Sequence, residues 1–191
     1  FKPVRITRID CDTEIRAGRD SAEIEGVELA NDTYAPGDTV RANVWVRPYR
    51  GKMVKVPLSL KLPSDLPDGT YPISIGDEWT NSRQDLRGRP DLNIAMDEVR
   101  LMAALRMLTS GRRTVLTARL QLPPGGVSIE GKALADLPAG MVQMLSQSRR
   151  GPVYPISAAA VGKEPTSWVI YGSDSVKITV TSAKRTTVTR D

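Results

Sequence analysis

The chain has 191 residues, 40% hydrophobic and 26% charged, enough to bury a real core and too apolar for a disordered chain. Its 27 basic and 22 acidic residues are interspersed, so the formal charge of +5 describes a mildly basic surface and not a basic tail. It contains no histidine and one cysteine, which excludes a Ser-His-Asp or Cys-His catalytic site, a histidine- or thiolate-held zinc site and an internal disulfide.

Fourteen Pro and fifteen Gly punctuate the chain at short intervals, which favours many short strands over long helices. Val4, Ile6 and the run to Ile9 predict a first strand. Residues 21–29 (SAEIEGVEL) predict another, in which the alternation of Ala22 and Ile24 changes phase at Gly26, the mark of a bulge. Pro36-Gly37 fits the centre of a type II turn, because Pro presets φ and Gly accepts a positive one.

The strongest local signal follows. Val40, Ala42, Val44 and Val46 alternate with Arg41, Asn43, Trp45 and Arg47; Val54, Val56, Leu58, Leu60 and Leu62 alternate with Lys55, Pro57, Ser59 and Lys61. Both segments have period two. Pairing Val46 with Val54 puts every apolar residue of both on one face, so 39–47 and 53–62 are predicted as an antiparallel hairpin. Val44, Val46, Val54, Val56 and Leu58 should then enter the core, with Trp45 and Lys55 meeting on the other face in cation–π reach. Pro57 has no N–H for a ladder, which places the second strand at an edge.

Tyr71, Ile73 and Ile75 share one face of a further strand, and the polar stretch 80–93 reads as a loop. Residues 94–110 change period: Val99, Met102, Leu105 and Leu108, widened by Leu101 and Ala104, form a helical stripe expected to pack on the core, with Gly111 as its stop. A strand over 114–122 is followed by a turn at PPGG (123–126) and a short strand at Val127 and Ile129. Asp136 is placed to cap a short helix aligning Leu137, Met141 and Leu145. Residues 146–152 read as a loop, strands are expected at 153–160, 167–171 and 174–181, and the tail 183–191 is polar. The fold class that results is mainly β, an immunoglobulin-like β-sandwich with one or two short helices and α+β character in 94–147. It reads as a single β-rich domain over 1–191, with a soft subdivision at 80–93 between the immunoglobulin-like strands of 1–79 and a helix-containing β part, 94–191.

Chemistry-bearing patterns are few. Cys11 lies between Asp10 and Asp12, carboxylates that suppress its thiolate. Asp77 and Glu78 stand beside Trp79, but adjacent strand residues point to opposite faces, so a solvated turn is the expected reading. DLPDG (65–69) lacks the ligand count of a calcium loop, and RRGP (149–152) is a turn and not a phosphate loop. No catalytic, cofactor-binding or metal-binding residue is assigned, and the chain is read as no enzyme. One surface stands out: Arg41, Trp45, Arg47, Tyr49, Arg50, Lys52 and Lys55 on the outer face and tip of the hairpin. As a plain hairpin this is a solvated face; as a site it would take an acidic polymer, nucleic acid or anionic polysaccharide. A nucleic-acid platform needs more aromatics than Trp45 and Tyr49, which disfavours nucleic acid.

The order Pro36-Gly37-Asp38, Arg47-Pro48-Tyr49-Arg50-Gly51, Leu66-Pro67-Asp68-Gly69 and Gly76-Asp77, followed by LADLPAGMVQML (134–145) and WVIYGSDSVKITV (168–180), resembles the β-rich C-terminal region of bacterial envelope proteins that carry an N-terminal SpoIVB-type serine peptidase domain. That family's Ser nucleophile motif and His base have no counterpart here, so no catalytic residue carries over. The resemblance implies a non-catalytic interaction or accessory module of a larger extracytoplasmic protein (periplasm or cell envelope), partnered by a protein or an envelope component. The chain begins at Phe1, which reads as a piece of a longer or processed protein. No apolar run approaches the ~20 residues that cross a membrane.

Overall fold

The computed structural model describes residues 7–15, 18–93, 98–129, 132–135, 137–147 and 153–182. Ten strands and four helices follow one another among them: β1 (Ser21–Leu29), β2 (Thr33–Tyr34), β3 (Thr39–Pro48), β4 (Val54–Lys61), β5 (Gly69–Asp77), α1 (Glu78–Arg87), α2 (Pro90–Asn93), α3 (Glu98–Ser110), β6 (Val115–Ile129), β7 (Lys132–Leu134), α4 (Ala139–Ser146), β8 (Val153–Pro165), β9 (Val169–Tyr171) and β10 (Asp174–Val180). The protein is mainly β. One sheet has the order β4-β3-β1-β9; the other runs β2-β10-β5-β6-β7, with β8 also paired to β6. Both sheets are mixed, because β9 runs parallel to β1 and β2 parallel to β10.

The hairpin forms in the expected register, with Val46 opposite Val54, Trp45 opposite Lys55 and Val40 opposite Leu60. β4 is an edge of its sheet, as Pro57 requires. Gly37 has φ 82°, the amide of Asp38 donates to the carbonyl of Ala35, and the Asp38 carboxylate accepts from the Ala35 amide at 2.8 Å. That is the expected turn with an added side-chain clamp. β1 pairs with β3 and changes register between Ile24 and Gly26, the expected bulge.

The core lies between the sheets. Val40, Val44, Val46, Val56, Leu58 and Leu60 of one meet Ile73, Ile75, Leu116, Leu120, Ile178 and Val180 of the other. At about 1.5–3 kcal/mol for each fully buried aliphatic side chain, these facing rows are the main source of stability. Val54 departs from expectation: at the mouth of the hairpin it is 37% exposed and outside the core.

Several segments differ from their sequence reading. Val4 and Ile6 lie outside the described residues; 7–15 form no strand, and Ile9 is 73% exposed. Residues 80–93 are not a loop but α1 and α2, inserted between β5 and β6, which pair directly from Ile73 with Leu120 to Asp77 with Leu116. Asp77 caps α1 by accepting from the Thr80 amide at 2.7 Å, and Glu78 and Arg87 suit its two ends. PPGG is no turn: β6 runs through it against β8, with register shifts at Gln121/Pro124 and Pro124/Gly126 where the prolines have no N–H to give. α1 also explains why both faces of β6 are buried, Thr117 and Arg119 as well as Leu116 and Leu120. β8 is longer than expected, reaching Pro165. Asp136 and the tail 183–191 lie outside the described residues, as do 148–152 of the expected 146–152 loop. Among the described side chains of α4, Val142 is buried and Met141 is 49% exposed.

α3 forms, but its large apolar residues do not pack on the core. Val99 is 80% exposed and Met102, Leu105 and Leu101 stay open, while Ala104 is buried. α3 packs chiefly on α1 and α2 and so makes an outer layer. Close helix contact there uses the small Ala104 and leaves the larger side chains outward.

Candidate functional site

The hairpin face carries the residues singled out in the sequence. Trp45 is half-buried and the Lys55 ammonium lies 5.1 Å from its ring centre, as the register predicts. Trp45 pairs with Gly26 of β1 on its other side, so no side chain at that bulge position crowds the indole. Arg41, Arg47, Arg50, Lys52 and Lys55 are exposed, and so is Tyr49. Tyr49 forms the tip, with Arg19 and Arg50 at 4.9 and 5.3 Å from its ring centre. Arg19 was not among the expected residues. A cleft of about 400 Å³ opens here, lined among others by Arg19, Glu23, Arg47, Tyr49 and Tyr171.

The neighbouring strand changes the electrostatics. β1 presents Glu23, Glu25 and Glu28 on its exposed side. Arg47 pairs with Glu25 at 2.8 Å and Lys55 with Glu28 at 3.1 Å. Two cations of the basic row, Arg47 and Lys55, are therefore answered by the acidic row of β1, while among the described residues Arg41, Arg50 and Lys52 have no carboxylate within ion-pair distance. The signal was present in SAEIEGVEL; what the sequence does not give is that β1 lies beside β3.

A second aromatic–cation group sits on the helical insertion. The Trp79 ring has the Arg113 guanidinium carbon at 4.5 Å and that of Arg83 at 4.8 Å from its centre. A cleft of about 200 Å³ beside it is lined by Trp79, Thr80, Arg83, Gln84 and Arg87. Gly111 creates the arrangement: a Cβ there would lie 2.6 Å from Trp79 Cα, so only glycine lets the end of α3 reach the first turn of α1 and deliver Arg112 and Arg113.

Asp77 and Glu78 are not a solvated turn. Asp77 is buried as the α1 cap. Glu78 accepts a hydrogen bond from the Lys163 ammonium and another from the Arg112 amide at 3.0 Å. The Lys163 bond holds the Glu78 carboxyl below the usual carboxylate range, against the opposite pull of burial and with the help of the Arg112 amide. Behind them Arg119, buried, pairs with Asp85 at 2.5 Å, and Thr117 links Asn81 to the carbonyl of Gly76. These carboxylates fasten α1 to the sheet.

Two other features stand apart. An apolar cleft of about 400 Å³ lies between Pro63, Leu66 and Pro67 on one side and Leu122, Pro123 and Ile156 on the other. Cys11 is exposed. No helix among the described residues is long and apolar enough to cross a membrane. No family model, curated protein or solved structure matches this chain.

Proposed function

We propose that the chain is a non-catalytic β-sandwich module of a larger extracytoplasmic bacterial protein, joined to a processing or peptidase-like domain, and that it works by contact with a protein or envelope partner. The observation that carries this reading is the outward face of α3. Val99, Leu101, Met102 and Leu105 are exposed while the core between the sheets is complete without them. Folded monomers seldom leave such a row on one helix face without a use for it. The absence of histidine from the sequence supports the non-catalytic part, and the resemblance to the SpoIVB-associated region supports the setting.

The test combines two assays. A panel of peptide, ester and glycoside substrates should show no turnover. The double substitution Met102→Glu/Leu105→Glu should leave stability within about 0.5 kcal/mol, as at ordinary surface positions, and abolish association with the remainder of the polypeptide encoded in the same reading frame. Turnover that one point mutation removes, or unfolding by the double substitution, contradicts the reading.

A second reading, an acidic polymer on the 41–55 face, rests on the hairpin tip. Arg50 has φ 56°, a left-handed conformation that costs a non-glycine residue energy, and it keeps its guanidinium against Tyr49. Filter binding at low salt tests it. Retention that persists when Arg41, Arg47 and Lys55 all become Ala removes that face from consideration.

A further inference from the structure

The cations around Trp79 are in excess of their carboxylates. The length of α1, the segment just after α3 and the strands behind them bring together Arg83, Arg87, Arg112, Arg113, Arg119 and Lys163 against Asp77, Glu78 and Asp85. All three carboxylates are engaged: Asp77 in capping, Glu78 with Lys163, Asp85 with Arg119. Among the described residues no carboxylate is within ion-pair distance of Arg83, Arg87 or Arg113, and all three are exposed.

Arg83 and Arg113 are also held in place on the Trp79 ring. The Arg112 amide is held by Glu78 and the Arg113 carbonyl accepts from the Ile170 amide at 2.8 Å, so the Arg113 backbone is tied on both sides. Arg83 and Arg87 are one helical turn apart on α1. A guanidinium resting on an aromatic ring spends its face on the ring and keeps its N–H edge for an oxyanion. Two guanidiniums on one indole repel each other unless an anion bridges them. Because those two already occupy the ring, a ligand's own ring has little surface on which to stack.

We propose that Arg83 and Arg113, ordered by Trp79, form together with Arg87 a binding site for a phosphate-type oxyanion. The cleft of about 200 Å³, lined by Arg83 and Arg87 and bordered by the Trp79 ring that Arg113 also contacts, suits a phosphate or diphosphate group. Asp77 and Glu78 already occupy the N-terminus of α1, so the ligand is held by the arginines and not by helix amides. The site is separate from the hairpin face, and it stands whether or not α3 docks a partner.

The experiment is a titration followed by the side-chain N–H signals of Trp45, Trp79 and Trp168. Inorganic pyrophosphate is added to the full chain at low ionic strength, with sodium chloride at matched ionic strength as the control. The Trp79 signal should move saturably with pyrophosphate while those of Trp45 and Trp168 stay in place. Arg83→Ala and Arg113→Ala should each weaken the apparent affinity about tenfold or more. Arg113→Lys, which keeps the charge and loses the fork, should weaken it less than Arg113→Ala, and Arg47→Ala should leave it unchanged. A parallel titration with oligothymidylate distinguishes the source of the phosphate. Tighter binding than pyrophosphate through the same arginines assigns a phosphodiester; weaker binding assigns a free phosphate. The proposal is overturned if chloride moves the Trp79 signal as pyrophosphate does, if Trp45 responds in its place, or if both alanine variants bind as the parent does.

Discussion

The Trp45 face of the hairpin and the Trp79 face of α1 use the same side chains to opposite effect. Each sets arginine or lysine against a tryptophan or tyrosine. Beside Trp45, β1 answers Arg47 and Lys55 with Glu25 and Glu28, each in an ion pair. On α1, the nearby carboxylates are turned inward to cap the helix and pair with Arg119 and Lys163, leaving Arg83, Arg87 and Arg113 without one among the described residues. A basic-aromatic pattern is therefore not a site in itself. What decides is the neighbour that topology supplies, because only that sets the local charge left for a ligand.

The most damaging way to break the comparison is Val44→Asp. Val44 is fully buried in the hairpin's inner row, and an unpaired carboxylate there should cost about 4 kcal/mol or more, by the burial of a charge. Denaturant titration should find the variant largely unfolded, and a loss below 1 kcal/mol would mean that the hairpin faces the other way. Gly111→Ala breaks the α1 face in turn. Its methyl would meet the Trp79 backbone, so a loss of about 1–3 kcal/mol is expected. The Trp79 side-chain N–H signal should also shift as Arg113 is pushed from the ring; an unmoved signal would separate Gly111 from the site.

The two faces were not equally legible. The hairpin register could be read because period two over two strands leaves one pairing that buries both apolar rows, and a slip of one residue exposes them all. Val54 escaped because the alternation does not say where along a strand the core ends. α1 was illegible for the opposite reason: EWTNSRQDLR has no apolar stripe, being held by Asn81, Asp85 and its cap in place of a greasy face. Asp77 followed by Glu78, with Arg87-Gly88 ten residues on, was the available signal. In α3 the period gave the helix correctly and its facing wrongly, since a stripe shows which residues share a side and not what lies against it. The Trp79 cluster joins segments over thirty residues apart through the approach of Gly111 to α1, and no local pattern contains that.

Smaller perturbations sharpen the contrast. Glu78 has a lowered carboxyl pKa, so its contribution is complete above the unfolded carboxylate value of about 4.3 and is lost as pH falls through the lower folded value. Glu78→Gln should therefore lower stability at neutral pH and flatten the acid limb of the pH–stability curve. An unchanged acid limb would show that the Lys163 pair contributes nothing measurable. Arg47→Ala removes one partner of an exposed ion pair and should cost at most about 0.5 kcal/mol; a loss above that of Gly111→Ala would mean that the basic row is buried against something.

The sign of a salt effect tests the central contrast most directly. Stability of the parent, Arg47→Ala and Arg113→Ala is measured by denaturant titration at about 0.01 M and 1 M sodium chloride, where the screening length falls from about 30 to 3 Å. Arg47 is attracted to Glu25, so the cost of removing it should shrink as salt rises. Arg113 shares the Trp79 ring with Arg83, so its removal should relieve like-charge repulsion at low salt and its cost should grow as salt rises. The same sign of salt dependence for both variants would contradict the account, placing a compensating charge at Trp79 or none beside the hairpin.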